Sequence, residues 1–438
     1  MGGESGQEND GVGQTAPGPK RRLPPGAMIS FVGLYAGVVL NYLLNLLLAR
    51  ELGAAEYGLV AVGLSLVNLL GTVAQFGFSQ GSSRFIGVYL AQDRQPEMQG
   101  LLRTMQWVTL AFGALISLLV VFLARVFIEP GHMRDVVIVA GVAVPVFGSL
   151  MLSQNIARGF GHMLIATLPM YVLLPTLAVA SLYAGPWAAA DGPAFLRYYA
   201  GIALALAAAV GLVLNLMLRR RLTRMRPRYA FREWFDVART MLATAFAQQY
   251  LRRIDVILLA LFVKPEILGM YSLGSRFAQV LAVARFSVNR FWMPRVARRF
   301  AAGDEAGLQA EVTTAARLVF ATTAVATVGL FLLGPYLIKF AGFEQGVAFQ
   351  AMAILMVGQL VAGYYSPSVQ TLQMCGQERS ANRLVLLSAL LVTVAVAVLG
   401  ATAGALAAAV GVAAVTGLQF WLADRRARQL VGVVTAAW

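Results

Sequence analysis

Apolar stretches of about 20 residues recur along the whole chain, the length a helix needs to cross about 30 Å of hydrocarbon. "LVLLSALLVTVAVAVLG", residues 384–400, carries no charge at all. Of the 438 residues 59% are hydrophobic and 13% charged, whereas a soluble domain carries about a quarter charged residues. The fold class that follows is an all-α integral membrane protein. Twelve candidate spans lie near 28–49, 58–80, 104–127, 135–157, 163–184, 196–218, 241–263, 268–292, 312–334, 347–370, 382–400 and 402–422. An even number puts both termini on one side.

The 35 lysines and arginines against 20 acids give a net charge of +15. On a soluble domain that balance suggests nucleic acid; here the basic residues sit in short loops, and no nucleic-acid partner is expected. Loops on the side of the termini carry 23 of them against about 6 on the other, which by the positive-inside rule predicts cytoplasmic termini. The largest block runs from Arg219 to Arg239. Within it Phe231, Trp234, Phe235 and Ala238 share one helical face opposite Arg232, Glu233, Asp236 and Arg239, predicting a helix on the inner membrane surface. Residues 1–26, rich in glycine, proline and polar groups, read as a disordered cytoplasmic tail.

An internal repeat orders the rest. Gly58, Arg84 and Asp93 recur as Gly269, Arg295 and Asp304, each 211 residues on. Six spans per half is even, so a six-helix bundle over 27–218 and another over 241–424 should be related by a pseudo-two-fold axis along the membrane normal. The basic linker 219–240 joins them, and 425–438 forms a second cytoplasmic tail.

Little points to catalysis. "GFSQG", Gly77 to Gly81, has the spacing of a nucleophile elbow but closes a membrane helix, and the chain holds only His132 and His162 as candidate bases. The single cysteine, Cys375, excludes an internal disulfide. No phosphate loop or metal-type cluster is present, so no cofactor or metal is expected.

Polar residues form stripes on several spans: Asn41 and Asn45; Ser65, Asn68, Thr72, Gln75 and Ser79; Ser272, Arg276, Gln279, Ser287 and Arg290; and Gln359, Gly363, Ser366, Gln370 and Gln373, with Pro367 as an expected kink. Such faces meet other helices or water. Interhelical hydrogen bonding is one reading; stripes in both halves favour a shared wet cleft. The segment "QQYLRRIDVILL", 248–259, sharpens this. Arg252 falls about 16 Å into its span, and Gln248, Arg252 and Asp255 share one face of a continuous helix, with Arg252 and Asp255 spaced to pair. Charge at that depth costs about 2.5–3.5 kcal/mol unless paired or wet. With Arg276 also deep and Asp255 the only acid placed in a span interior, positive charge is left over, which suits a phosphate-bearing anion.

The passages "LLARELGAAEYGLVAVGLSLVNLLGTVAQFGFSQGSSRFIG" and "RRIDVILLALFVKPEILGMYSLGSRFAQVLA" resemble those of bacterial polysaccharide flippases, within the multidrug/oligosaccharidyl-lipid/polysaccharide exporter superfamily. The resemblance implies two six-helix bundles around a central cavity in the bacterial inner membrane. It implies a polyprenyl-pyrophosphate-linked oligosaccharide as cargo, moved from inner to outer leaflet by alternating access without an enzymatic step. Other polysaccharide assembly proteins, and a coupling proton or sodium ion, are the partners it suggests. Arg276 and Asp255 match the family's pattern. Under that reading Arg252, Arg253, Arg276 and Arg290 would hold the diphosphate, and Asn41, Asn45, Asn68, Thr72, Gln75, Gln248, Gln279, Gln359 and Gln370 would line the polar cavity. Asp255 would be a coupling or structural carboxylate. The alternatives are a multidrug cation antiporter of the same superfamily and a membrane glycan polymerase or transferase.

Overall fold

The computed structural model describes residues 25–184, 191–222 and 226–438, so nearly all of the expected disordered tail and part of the basic linker lie outside the described residues. Within them the chain is helical throughout, as a backbone in hydrocarbon must be. The helices are α1 (Pro25–Ala74), α2 (Phe78–Ala91), α3 (Gln95–Phe127), α4 (His132–Gly159), α5 (Met163–Leu168), a π turn (Pro169–Leu173), α6 (Leu174–Ala184) and α7 (Gly192–Leu222). They continue with α8 (Phe231–Leu251), α9 (Ile254–Leu259), α10 (Pro265–Ala301), α11 (Glu305–Phe340), α12 (Gln345–Tyr364), α13 (Ser368–Met374) and α14 (Glu378–Val431). Nine helices among the described residues are long and apolar enough to cross a membrane.

Two of the nine double back. Tyr57 donates a hydrogen bond to Asn45 at 3.2 Å, yet twelve residues of straight helix would hold them about 18 Å apart. The reversal is at Gly53, whose φ of 74° is readily adopted only by glycine. α14 does the same at Gly404, φ 79°, which brings Gly411 against Ala395 and Leu399. The boundaries expected at 49–58 and 400–402 are therefore tight turns between antiparallel legs. The kink expected at Pro367 is the break between α12 and α13.

The core shows how the halves meet. At the end carrying Gly53 and Lys264, one apolar cluster draws on both: Tyr57, Val60, Phe147 and Tyr199 pack in the same body as Ile254, Leu259, Tyr271 and Met352. At the opposite, arginine-rich end the cores are separate. One centres on Phe78, Tyr89, Leu101 and Leu150 and takes in Trp234 and Ala238 at the start of α8; others centre on Leu372, Leu384 and Phe420, and on Met293, Val296 and Leu308. A shared core at one end and divided cores at the other describe a V, closed at the loops around Gly53 and Lys264.

The closed end rests on the repeat. A Cβ on Gly58 would lie 2.3 Å from the Pro265 carbonyl oxygen, and one on Gly269 would lie 1.9 Å from that of Ala54. Ala54 and Pro265 are themselves 211 residues apart. Each half thus offers the same glycine to the same position of the other, the reciprocity of a two-fold contact.

Two expectations change. Trp234 and Ala238, on the face expected to meet lipid, are buried against protein: α8 runs unbroken to Leu251, and the Trp234 indole donates to Tyr89 at 2.8 Å. Burial against protein removes more of the indole from water than a membrane surface does. Residues 432–438 do not trail away either. Thr435 places its backbone N–H and its hydroxyl each 2.8 Å from the buried carboxylate of Asp424, and Ala437 donates to the carbonyl of Tyr364 beside the α12–α13 break.

Gly269→Ala should force the closed end apart. In a variant carrying a cysteine at Ala54, labelling by a water-soluble maleimide should rise when alanine is added at 269; unchanged labelling would show that the contact tolerates a side chain. Thr435→Val should lower stability in detergent by about 1–2 kcal/mol, the worth of a buried hydrogen bond to a charged acceptor, read as a lower Tm.

Candidate functional site

Where the shared core gives way to the cleft, the chain breaks. α8 ends at Leu251 and α9 starts at Ile254, so Arg252 and Arg253 occupy a turn inside what is otherwise one span. The expectation that Gln248, Arg252 and Asp255 share a face of one continuous helix is corrected here. Two adjacent arginines on an unbroken helix would point about 100° apart; the turn frees both to reach one region. The expected Arg252–Asp255 pair is not formed either. Asp255 is buried and accepts from the Tyr271 hydroxyl at 2.9 Å and the Ser275 hydroxyl at 3.3 Å, both on α10. Gln279 donates to Ser275 at 3.3 Å, which completes a short polar chain.

The arginines are left with one another. Arg253 lies within electrostatic range of Arg276, Arg252 and Asp255. All three guanidinium groups act on the phenol of Tyr42. Among the described residues none of the three forms an ion pair or a side-chain hydrogen bond, and the Nε of Arg253 is buried without a partner. The guanidinium of Arg252 lies 4.9 Å from the ring centre of Phe286, a contact that orients a cation without neutralising it. Arg252 is accessible to water although protein surrounds it, as befits a side chain on the wall of a hollow. Asp255 acts on one of the three cations, Arg253, so the site keeps a net positive charge.

The remaining expected ligands divide. Arg285, nearer the open end of α10, is held by the side-chain oxygen of Gln359 at 2.9 Å and stacks over Phe420, so Gln359 is already engaged. Asn41 and Gln248 are exposed, and Asn68, Gln279 and Gln370 half-buried. Asn45, Thr72 and Gln75 are buried, which corrects their assignment to an open lining. Asn45 bonds to the Asn41 carbonyl and Tyr57, Thr72 to the Asn68 carbonyl, and Gln75 to the Gly71 carbonyl. Those side chains serve their own helix because its carbonyls are nearest. Asn68 also donates to its own helix, at Leu64. The side chain of Arg290 lies outside the described residues.

Several residues at the site have no place in the sequence-based expectation. Tyr42 lies within electrostatic range of all three arginines and Tyr171 within that of Arg252, Tyr171 standing on the π turn, a device that often marks functional sites. Gln249, not Gln248, reaches across the halves to Thr72, at 3.4 Å. Tyr35 bonds to Ser287 between α1 and α10. The spacing of Tyr271, Ser275 and Gln279 at steps of four was the available signal for the Asp255 cradle.

The profile of the polysaccharide biosynthesis protein family matches residues 25–300. No curated protein matches the chain. Among solved structures, the chain is similar to the inward-facing conformation of a multidrug resistance MATE family transporter of the MOP superfamily. The TM-score is 0.76 at 13% identity, over 92% of this chain and 98% of that one. It is also similar to the lipid II flippase MurJ in an inward closed conformation, with a TM-score of 0.70 at 11% identity over 92% and 87%. An outward-facing MATE family transporter scores 0.56 at 14% identity over 93% and 95%. These likenesses are of fold.

A surplus of unpaired charge is a cost the protein bears at rest. Arg253→Met should therefore raise the stability of the purified protein, on the order of 1–2 kcal/mol, while reducing function. A lower Tm would mean that Arg253 has a stabilising partner in the resting state.

Proposed function

Because the chain belongs to the polysaccharide biosynthesis protein family and has the fold of MOP-superfamily transporters, we propose that it flips a polyprenyl-pyrophosphate-linked oligosaccharide from the inner to the outer leaflet of the cytoplasmic membrane by alternating access. The observation that carries this reading is the cluster of Arg252, Arg253 and Arg276, without ion-pair partners, at the apex of the cleft. A diphosphate brings the charge the cluster lacks, and guanidinium forks match its oxygens. The same charge repels the amphiphilic cations a multidrug antiporter would carry.

In this scheme the arginine-rich end faces the cytoplasm, as the distribution of basic loops suggests. The diphosphate binds at the apex, exposed amides such as Asn41 and Gln248 meet sugar hydroxyls, and the polyprenyl chain stays in lipid. Bound anion neutralises the cluster and lowers the electrostatic resistance to bringing the two halves together at the open end. Opening at the Gly58–Gly269 contact then releases cargo outward. Asp255, held by Tyr271 and Ser275 on α10, is the carboxylate through which a proton would couple to the cycle.

The test is rescue of a bacterial strain lacking its own flippase, with expression checked in the membrane. Arg276→Ala and Arg253→Ala should each cut rescue or in vitro flipping by about tenfold or more, the loss expected from one charge-assisted hydrogen bond. Full activity of both variants rejects the diphosphate site. Asp255→Asn should abolish any pH dependence of the flipping rate; an unaltered pH profile removes proton coupling through this residue.

A further inference from the structure

A second basic site lies away from the apex. The middle of α8 and the first turns of α14 flank a cleft of about 280 Å³, lined by Arg379, Asn382 and Arg383 together with Thr244, Ala247 and Leu386. Arg379 and Arg383 are one turn apart, so they share a face of α14. Neither forms an ion pair or a hydrogen bond with a described residue, and Glu378, beside Arg379 in sequence, is exposed and also unpaired. The two arginines stand in the first turns of α14, whose free N–H groups add positive potential there.

The depth of this cleft is fixed by the sequence on either side. After Arg383, residues 384–400 carry no charge, and along α8 none follows Arg239 before the break at Arg252. The arginines therefore sit where headgroups meet acyl chains, and the walls below them face chains. Leu386 is 49% exposed, an apolar side chain waiting for an apolar neighbour. A volume of 280 Å³ corresponds to roughly nine water volumes at about 30 Å³ each. That admits a phosphodiester and the start of its chains but not an oligosaccharide.

We propose that the cleft between α8 and α14 binds the phosphodiester of an anionic phospholipid, held by Arg379 and Arg383, with its acyl chains along Ala247 and Leu386. Basic pockets between transmembrane helices take such headgroups. The bound lipid bridges the two helices on the near side of their hydrogen bond between Tyr250 and Thr393, 2.8 Å. It steadies the end of α8 that carries Arg252, so the lipid composition of the leaflet bears on the central site. The proposal is independent of the cargo and holds whichever leaflet this end faces.

The experiment uses purified full-length protein in a neutral detergent, titrated with phosphatidylglycerol, phosphatidylcholine or undecaprenyl phosphate and read by native mass spectrometry. Phosphatidylglycerol should bind about tenfold more tightly than phosphatidylcholine, and the double variant Arg379→Gln, Arg383→Gln should remove that preference. The control Arg298→Gln, Arg299→Gln takes two charges from the same end of the molecule, outside the cleft, and should keep it. Equal loss in both doubles, or no loss in either, overturns the site. Tighter binding of undecaprenyl phosphate, lost with Arg379 and Arg383, reassigns the cleft to the cargo lipid and overturns the phospholipid assignment. Ala243→Leu, which intrudes on the cleft without altering charge, should weaken phosphatidylglycerol binding, and unchanged binding would place the lipid elsewhere.

Discussion

The architecture depends on backbone meeting backbone. At the closed end, Gly58 and Gly269 admit the chain of the opposite half to a distance that a single methyl group would prevent. Without a hydrophobic drive between helices in lipid, close approach of small residues is a main source of association energy. Around this contact the two halves build one core; away from it the cores are separate, with the start of α8 packed into that of the first half. The cleft, its apex and its arginines follow from where the shared core stops.

The apex is a place where two stabilising rules are broken together. A span is interrupted, and charge is left without countercharge. Neither helps the resting protein, since unpaired groups in a low-dielectric setting are unfavourable. Both suit the proposed function, in which the break lets neighbouring arginines converge and a bound anion would supply the missing countercharge. Asp255 is kept out of this arrangement by Tyr271 and Ser275, which occupy one of its oxygens. Had Arg252 and Asp255 paired, as helical spacing suggests, one guanidinium fewer would be free for a ligand.

The parts legible in the sequence were those set by composition and by spacing along one chain. Runs of apolar residues gave the class; Gly58, Gly269 and the interval between them gave two like-oriented halves; Pro367 gave a break. The depth of Arg252, Arg253 and Arg276 marked the candidate site. What stayed hidden depends on choices between near-equal partners. Asn45, Thr72 and Gln75 could face a hollow or their own helix, and the helix carbonyl was nearer. Asp255 could take an arginine or two hydroxyls, and periodicity does not rank them. The break at Arg252 lacks the proline or glycine that announces most breaks. Trp234 is buried because its partner, Tyr89, lies far away in sequence, a contact no local pattern encodes.

The placement of the glycine contact has a mechanical consequence. It acts as a fulcrum close to one end of long, stiff levers. α10 runs for 37 residues from beside that point, about 55 Å at 1.5 Å per residue. A turn of about 10° at the fulcrum therefore sweeps the far tip of α10 through roughly 10 Å, about one helix diameter. Hinge adjustments too small to disturb the packing around Gly58 and Gly269 are enough to widen or narrow the open mouth by the breadth of a helix.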